Sequence, residues 1–209
     1  MQLLRCTSTI RLFLSLCVSV TFLPASASAG SLSINNEVLR IANLSIRPWI
    51  QSSIVVGAIK RQNAKFAGLD AARILELDQR WNNEVAIGFG RKELVDAMLA
   101  TPLSQFLLEK QDQSLGLITG LIVMDDKGLN VGISEPTQHY WQGETEIWQR
   151  SYGAGINRTY VSGMQKQPGS RNYEIQVSYS IADPATGKNI GAIAVGINVE
   201  KLIALSFAE

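Results

Sequence analysis

Residues 173–199 read YEIQVSYSIADPATGKNIGAIAVGINV. Tyr173, Ile175, Val177, Tyr179 and Ile181 fall on one side of an extended chain, and Glu174, Gln176, Ser178 and Ser180 on the other. Strict alternation predicts an antiparallel strand with one buried face. Asp183-Pro184-Ala185-Thr186-Gly187-Lys188 carries turn residues. Asn189 to Val199 is almost continuously apolar, as expected of a central strand. The stretch therefore predicts a hairpin that forms the middle of a sheet.

The same period appears upstream. Leu117 to Met124 reads as a strand, Asp125-Asp126-Lys127-Gly128 as a turn, and Leu129 to Ser134 as its return. Arg158 to Met164 reads as a further strand, followed by a turn over Gln165 to Ser170 around Pro168-Gly169. Before Gly116 the spacing is helical. Val38, Ile41, Ala42 and Ser45 share a face, as do Ile50, Ile54, Val55, Ala58 and Ile59. Pro48 either kinks this helix or starts a new one. Arg61 to Lys65 is polar and reads as a break, and Leu69 to Leu77 resumes as helix. Further helices are expected over Arg91 to Ala100 and Leu103 to Asp112, with Thr101 or Ser104 as cap. A short helix after Val199 closes the chain. Long helices followed by strands predict an α+β fold, with one antiparallel sheet of about five strands and helices laid on one face.

The N-terminus reads as a secretory leader. Arg5 and Arg11 precede an apolar run from Leu12 to Leu23, and small residues end it before a cleavage point after Ala29 or Ala27. An uncleaved anchor is the alternative. The expected division is a signal peptide over 1–29 and one domain over 30–209, helical to about 112 and sheet from about 116 to 200. Both cysteines, Cys6 and Cys17, fall in the leader, so the exported chain is expected to have no disulfide and no Cys-ligated metal. Without Arg5 and Arg11 the basic count falls from 19 to 17 against 18 acids, a net charge of −1. No charge run suggests nucleic-acid binding. The expected location is periplasmic or secreted.

One segment stands apart. Residues 139–152 read HYWQGETEIWQRSY, in a chain that is only 7% aromatic. A short helix over Gln142 to Tyr152 is expected there, which would set Trp148 and Tyr152 on one face. The rings could fill the core or line a pocket, and Arg150 could pair with a ligand or with a surface acid.

Three stretches together resemble the Cache family, the extracellular PAS-like sensor domains of bacterial chemoreceptors, histidine kinases and cyclic-dinucleotide enzymes. They are Gly120 to Gly128, with its strand and Asp-x-x-Gly turn; Tyr140 to Arg150, with aromatics about a Gly-Glu pair; and Ile181 to Gly196. The resemblance covers roughly Ile34 to Leu202 and is to the single-Cache type. It implies a PAS-like sheet with a long N-terminal helix that could pair two copies. It implies a ligand against the sheet, under the segment between the second and third strands. Tyr140, Trp141, Trp148, Arg150 and Tyr152 then become ligand-binding candidates, with Tyr160 and Gln176 from the neighbouring strands. The implied ligand is a small polar molecule, such as a carboxylate or amino acid. The implied partner is a membrane-bound histidine kinase, chemoreceptor or cyclase. Family members commonly sit between two membrane spans, whereas the leader here reads as too short to span and no later stretch is expected to cross a bilayer. A stand-alone version would need a membrane partner.

Other chemistry finds little support. His139 is the chain's only histidine. With neither Cys nor a second His, a transition-metal site lacks ligands, and no metal or cofactor is expected. No nucleophile motif accompanies His139, so the chain is not expected to be an enzyme. Asp125-Asp126 and Asp183 read as turn residues. Gly88-Phe89-Gly90 lacks the third glycine and the Lys-Ser/Thr of a phosphate loop. The competing expectation is a ligand-free module that binds a protein partner through a packed core.

Overall fold

The computed structural model describes residues 26–87, 89–166 and 172–206. The leader expected over 1–29 and the turn expected at Pro168-Gly169 fall wholly or largely outside the described residues. The helical half comprises α1 (Ser26–Ser45), α2 (Arg47–Ile50), α3 (Ser53–Lys65), α4 (Ala71–Ala86), α5 (Glu93–Leu99) and α6 (Pro102–Gln113). The sheet half comprises β1 (Ile118–Met124), β2 (Asn130–Ile133), α7 (Glu146–Gln149), β3 (Thr159–Val161), β4 (Gln165–Lys166), β5 (Tyr173–Ala182), β6 (Asn189–Asn198) and α8 (Val199–Ser206). Among the described residues no helix is long and apolar enough to cross a membrane.

The sheet has six strands in the order β2-β1-β6-β5-β3, with β4 also on β5, and every pairing is antiparallel. This is the expected α+β, PAS-like arrangement. β6 lies between β1 and β5 and is buried along most of its length, which matches its unbroken apolar run. Ile175, Val177, Tyr179 and Ile181 point to the helices, and Val38, Ala42, Ile46, Val55 and Ile59 meet them in the main core. Tyr173 departs from this pattern and is exposed at the strand's start. Ser45 is also exposed, and Ile46 takes its place on the buried face. Pro48 begins α2 rather than kinking α1, since a helix's first turn needs no N–H from it. Thr101 caps α6 through its hydroxyl oxygen, which accepts from the Ser104 N–H at 3.1 Å.

The expected break at Arg61 to Lys65 is absent, and α3 runs through it. The polar residues there are used for fastening. Gln62 donates to Asp125 Oδ2 and to the Asn130 carbonyl, at 2.9 and 3.0 Å. Asn63 donates to the Ile190 carbonyl, and Lys60 pairs with Asp183 at 2.8 Å. One helix end thus holds both hairpins. The two turn aspartates also bind their own loops: Asp125 accepts from Lys127 N and Leu129 N, and Asp183 from Ala185 N. The Lys60 ammonium and these hydrogen bonds hold the Asp183 carboxyl below the usual range. Burial pushes Asp125 the other way, against its own hydrogen bonds.

Two smaller clusters complete the packing. Trp81 of α4 is fully buried among Val95, Met98, Leu129, Ile133 and Tyr140. On the sheet face opposite the main core, Ile147 of α7 packs with Met124, Tyr160, Ala192 and Ala194. Helices therefore cover more than one face: α7 sits across the sheet from α1 and α3. Gln165 and Lys166, expected to begin a turn, instead pair with Glu174 and Tyr173.

Candidate functional site

The sheet face opposite the main core is not fully covered. Between it and the segment from Glu135 to Ile147 lies a cleft of about 520 Å³, a volume suited to a small organic molecule. Its floor is made by neighbouring positions of three strands: Thr119 and Gly120 of β1, Ala194 and Gly196 of β6, and Glu174 and Gln176 of β5. Gly196 pairs with Gly120 on one side and with Gln176 on the other. The alternation that gives β5 a buried face gives it a polar face as well, and that face is the floor.

Two glycines shape this floor differently. A Cβ on Gly120 would meet nothing within 4 Å, so the missing side chain leaves open space. A Cβ on Gly196 would lie 2.2 Å from Thr119 Oγ1 and 2.6 Å from Glu174 Oε2. Those two side chains meet directly over it, and the threonine hydroxyl donates to the carboxylate. The glutamate of β5 is thereby fixed over the neighbouring strand β6.

The wall runs through Glu135, Thr137, His139, Gln142, Thr145 and Glu146. It has little regular structure, so side chains must hold it in place. Asp78 of α4 does much of this. Its Oδ1 accepts from Tyr140 N at 2.8 Å and from Trp141 N at 3.0 Å, and its Oδ2 lies 3.2 Å from His139 Nδ1. Trp81 donates to the Thr137 carbonyl at 2.8 Å, and Asn130 donates to the His139 carbonyl at 3.0 Å. Gln142 N donates to the Gly128 carbonyl at 2.7 Å.

The aromatic residues divide between framework and cleft. Tyr140 is buried against Trp81, with ring centroids 5.4 Å apart. Burial, with the nearby Asp125 charge, pushes its phenol up to about 12. Trp141 donates to the Lys127 carbonyl at 2.8 Å, and its indole lies where a side chain on Gly143 would otherwise be. Trp148 donates to the Asp125 carbonyl at 3.2 Å and stacks on Tyr152 at 5.0 Å. None of these four lines the cleft. The expected helix over Gln142 to Tyr152 is reduced to Glu146–Gln149, with Gly143 and Gly153 on either side. Its turn is still enough to stack Trp148 on Tyr152.

Arg150 is likewise outside the cleft. It pairs with Glu146 at 3.2 Å and lies over the Tyr160 ring at 4.6 Å, mostly exposed. Of the two roles open to it, the structure gives the pairing with a neighbouring acid. Tyr160 and Gln176 do line the cleft, and the Tyr160 hydroxyl donates to Glu146 Oε2 at 2.7 Å. Burial and then that bond raise the Tyr160 phenol, while Tyr160 and Arg150 together lower the Glu146 carboxyl. Ser178, next along the polar face, is fully buried and takes no part in the lining.

Sequence reading missed Asp78, Thr119, Gly120, Glu174 and Gly196. For Glu174 a signal existed, since it shares a strand face with Gln176. For Asp78 none did, because its partners lie more than 60 positions away. Among the described residues no group of three or more His, Cys, Asp or Glu could hold a metal ion.

No family model matches the chain, and no curated protein does. Solved structures overlap it loosely. The sensor domain of the Vibrio cholerae histidine kinase DctB shares 10% identity at a TM-score of 0.44, covering 84% of this chain and 55% of that one. The ligand-binding domain of the Campylobacter jejuni chemoreceptor Tlp3, in complex with 4-methylisoleucine, gives 13% and 0.37, covering 85% and 63%. That of the Pseudomonas aeruginosa amino acid chemoreceptor PctC, in complex with GABA, gives 11% and 0.36, covering 81% and 63%. This chain thus spans less than two thirds of the length of each. Overlaps this loose assign no residue here a role.

Proposed function

We propose that this protein is an exported, single-domain sensory module that binds a small polar molecule in the cleft on the open face of its sheet and modulates a membrane-bound signalling partner, a kinase, chemoreceptor or cyclase. The observation that carries the binding is the cleft itself. It has a size suited to a metabolite, polar groups converge on it, and Gly120 leaves its floor empty. A packed interaction module would have closed that space with side chains. The signalling part rests on the resemblance of the Gly120–Gly128, Tyr140–Arg150 and Ile181–Gly196 stretches to Cache sensors.

Of the sequence candidates, Tyr160 and Gln176 contact the ligand on this reading. Tyr140, Trp141, Trp148 and Tyr152 hold the wall, and Arg150 steadies Glu146. Residues from Gly30 onward form the exported domain, and α1 provides the face for a second copy.

The test is the melting midpoint of the purified protein against a panel of amines, carboxylates, amino acids and purines, beside Gly120→Val. A ligand that binds only the folded state raises the midpoint. The expected outcome is a shift with at least one compound, lost in Gly120→Val, which puts a branched side chain into the open floor. A shift of equal size in both proteins would put the site elsewhere. No shift with any compound would favour the ligand-free module.

A further inference from the structure

The charge of the cleft limits what it can hold. Among the described residues its lining includes three carboxylates, Glu135, Glu146 and Glu174, and no lysine or arginine. Glu146 is already matched by Arg150. Glu135 accepts from Gln111 Nε2, at 2.6 Å, and Glu174 from the Thr119 hydroxyl. Among the described residues neither is in an ion pair. An anionic ligand would enter a site with two carboxylates outside any ion pair and, among the described residues, no lysine or arginine to receive it. An ammonium ion would find carboxylate acceptors.

Glu174 is placed differently from an ordinary surface acid. Gly196 leaves room for its carboxylate to lie across the strand beside it, and Thr119 holds it there. The empty position at Gly120 adjoins the Gly196 pair. The partner that holds Glu174 is a neutral hydroxyl rather than a cation.

We propose that the ligand is an organic ammonium ion whose charged nitrogen is held by Glu174, with the rest of the molecule over Gly120. This rests on the cleft being the binding site. It differs from the carboxylate recognition implied by the sequence, because Arg150 is not among the residues that line the cleft and is paired with Glu146.

The experiment is calorimetric titration of the purified protein with propylamine, putrescine and spermidine, and with propionate and succinate as anionic counterparts. The same titrations are made on Glu174→Gln, which keeps an acceptor for Thr119, and on Gly120→Val. We expect at least one amine to bind and neither anion to do so. Glu174→Gln should weaken the amine at least about tenfold, the scale of one charge-assisted hydrogen bond, and Gly120→Val should abolish it. If Glu174→Gln lowers the melting midpoint, Thr119→Val replaces it and must weaken the amine severalfold. Anions that bind and are lost in Gly120→Val would overturn the ammonium assignment and leave the sensor reading standing. Amine binding unchanged by Glu174→Gln would remove Glu174 as the anchor. Binding of nothing, or binding indifferent to Gly120→Val, would overturn both readings.

Discussion

Replacing Asp78 with alanine should loosen the wall of the cleft, and its cost can be worked from four contacts. Asp78 accepts from Tyr140 N at 2.8 Å, Trp141 N at 3.0 Å and Asn82 Nδ2 at 3.2 Å, and it lies 3.2 Å from His139 Nδ1. Its side chain is 15% exposed, whereas that of His139 is 45% exposed. A hydrogen bond to a charged acceptor contributes about 1.5–3 kcal/mol, and a half-exposed partner well under about 1 kcal/mol. The two backbone donors therefore dominate. Water entering the vacated space would satisfy part of their demand. The expected loss is about 3 kcal/mol. With a urea slope near 2 kcal/mol/M, that moves the unfolding midpoint down by about 1.5 M. Asp78→Asn keeps an oxygen for both N–H groups and should lose less than about 1.5 kcal/mol. Urea unfolding followed by tryptophan fluorescence reads both variants. A loss under about 1 kcal/mol in Asp78→Ala, or equal losses in the two variants, would refute the assignment of Asp78 as the anchor of residues 140–141.

Three further outcomes are expected. Glu84, 8% exposed, accepts from Leu94 N at 2.6 Å and Val95 N at 3.0 Å, so Glu84→Ala should cost about 2–3 kcal/mol in chemical unfolding and Glu84→Gln less than half of that. Gly191→Ala would set a Cβ 2.2 Å from the Met124 carbonyl oxygen, a backbone atom that cannot swing aside, so it should cost about 3 kcal/mol; Gly163→Ala, with nothing within 4 Å, should stay within about 0.5 kcal/mol. Burial raises Tyr140 from 10.0 to about 12, so the unfolded chain loses this proton first, and stability held below pH 10 should be lost between 10 and about 12. The slope is about 1.4 kcal/mol per pH unit for this group, and Tyr140→Phe should flatten the alkaline limb of a stability–pH curve by that amount.

The sheet was readable because its signals are local. The alternation in β5, the turns at Asp125 and Asp183 and the cap at Thr101 each lie within a few residues of what they determine. The polar end of α3 was misread for the opposite reason. Lys60, Gln62 and Asn63 look like a helix running out, yet their partners are two turns and the start of β6, more than 60 positions away. The aromatic segment pointed to the right region but not to the right residues. Tyr140 and Trp148 are large enough to fill gaps between elements, and they do so. The cleft is built by their neighbours with smaller or acidic side chains. Its floor depends on Gly120 and Gly196, which in sequence look only like interruptions of two apolar strands.

The alternation of β5 has a mechanical consequence. Glu174 and Gln176 face the cleft, while Ile175 and Val177 face the helices, where α1 lies against the same strand. A single peptide bond separates a side chain on one face from a side chain on the other. Farther along the strand, the Tyr179 hydroxyl donates to Asn43 of α1 at 3.3 Å, and Arg47 lies over its ring. The sheet is a diaphragm one strand thick. Glu174 and Gln176 lie on one side of that single layer and Ile175 and Val177 on the other, where α1 rests.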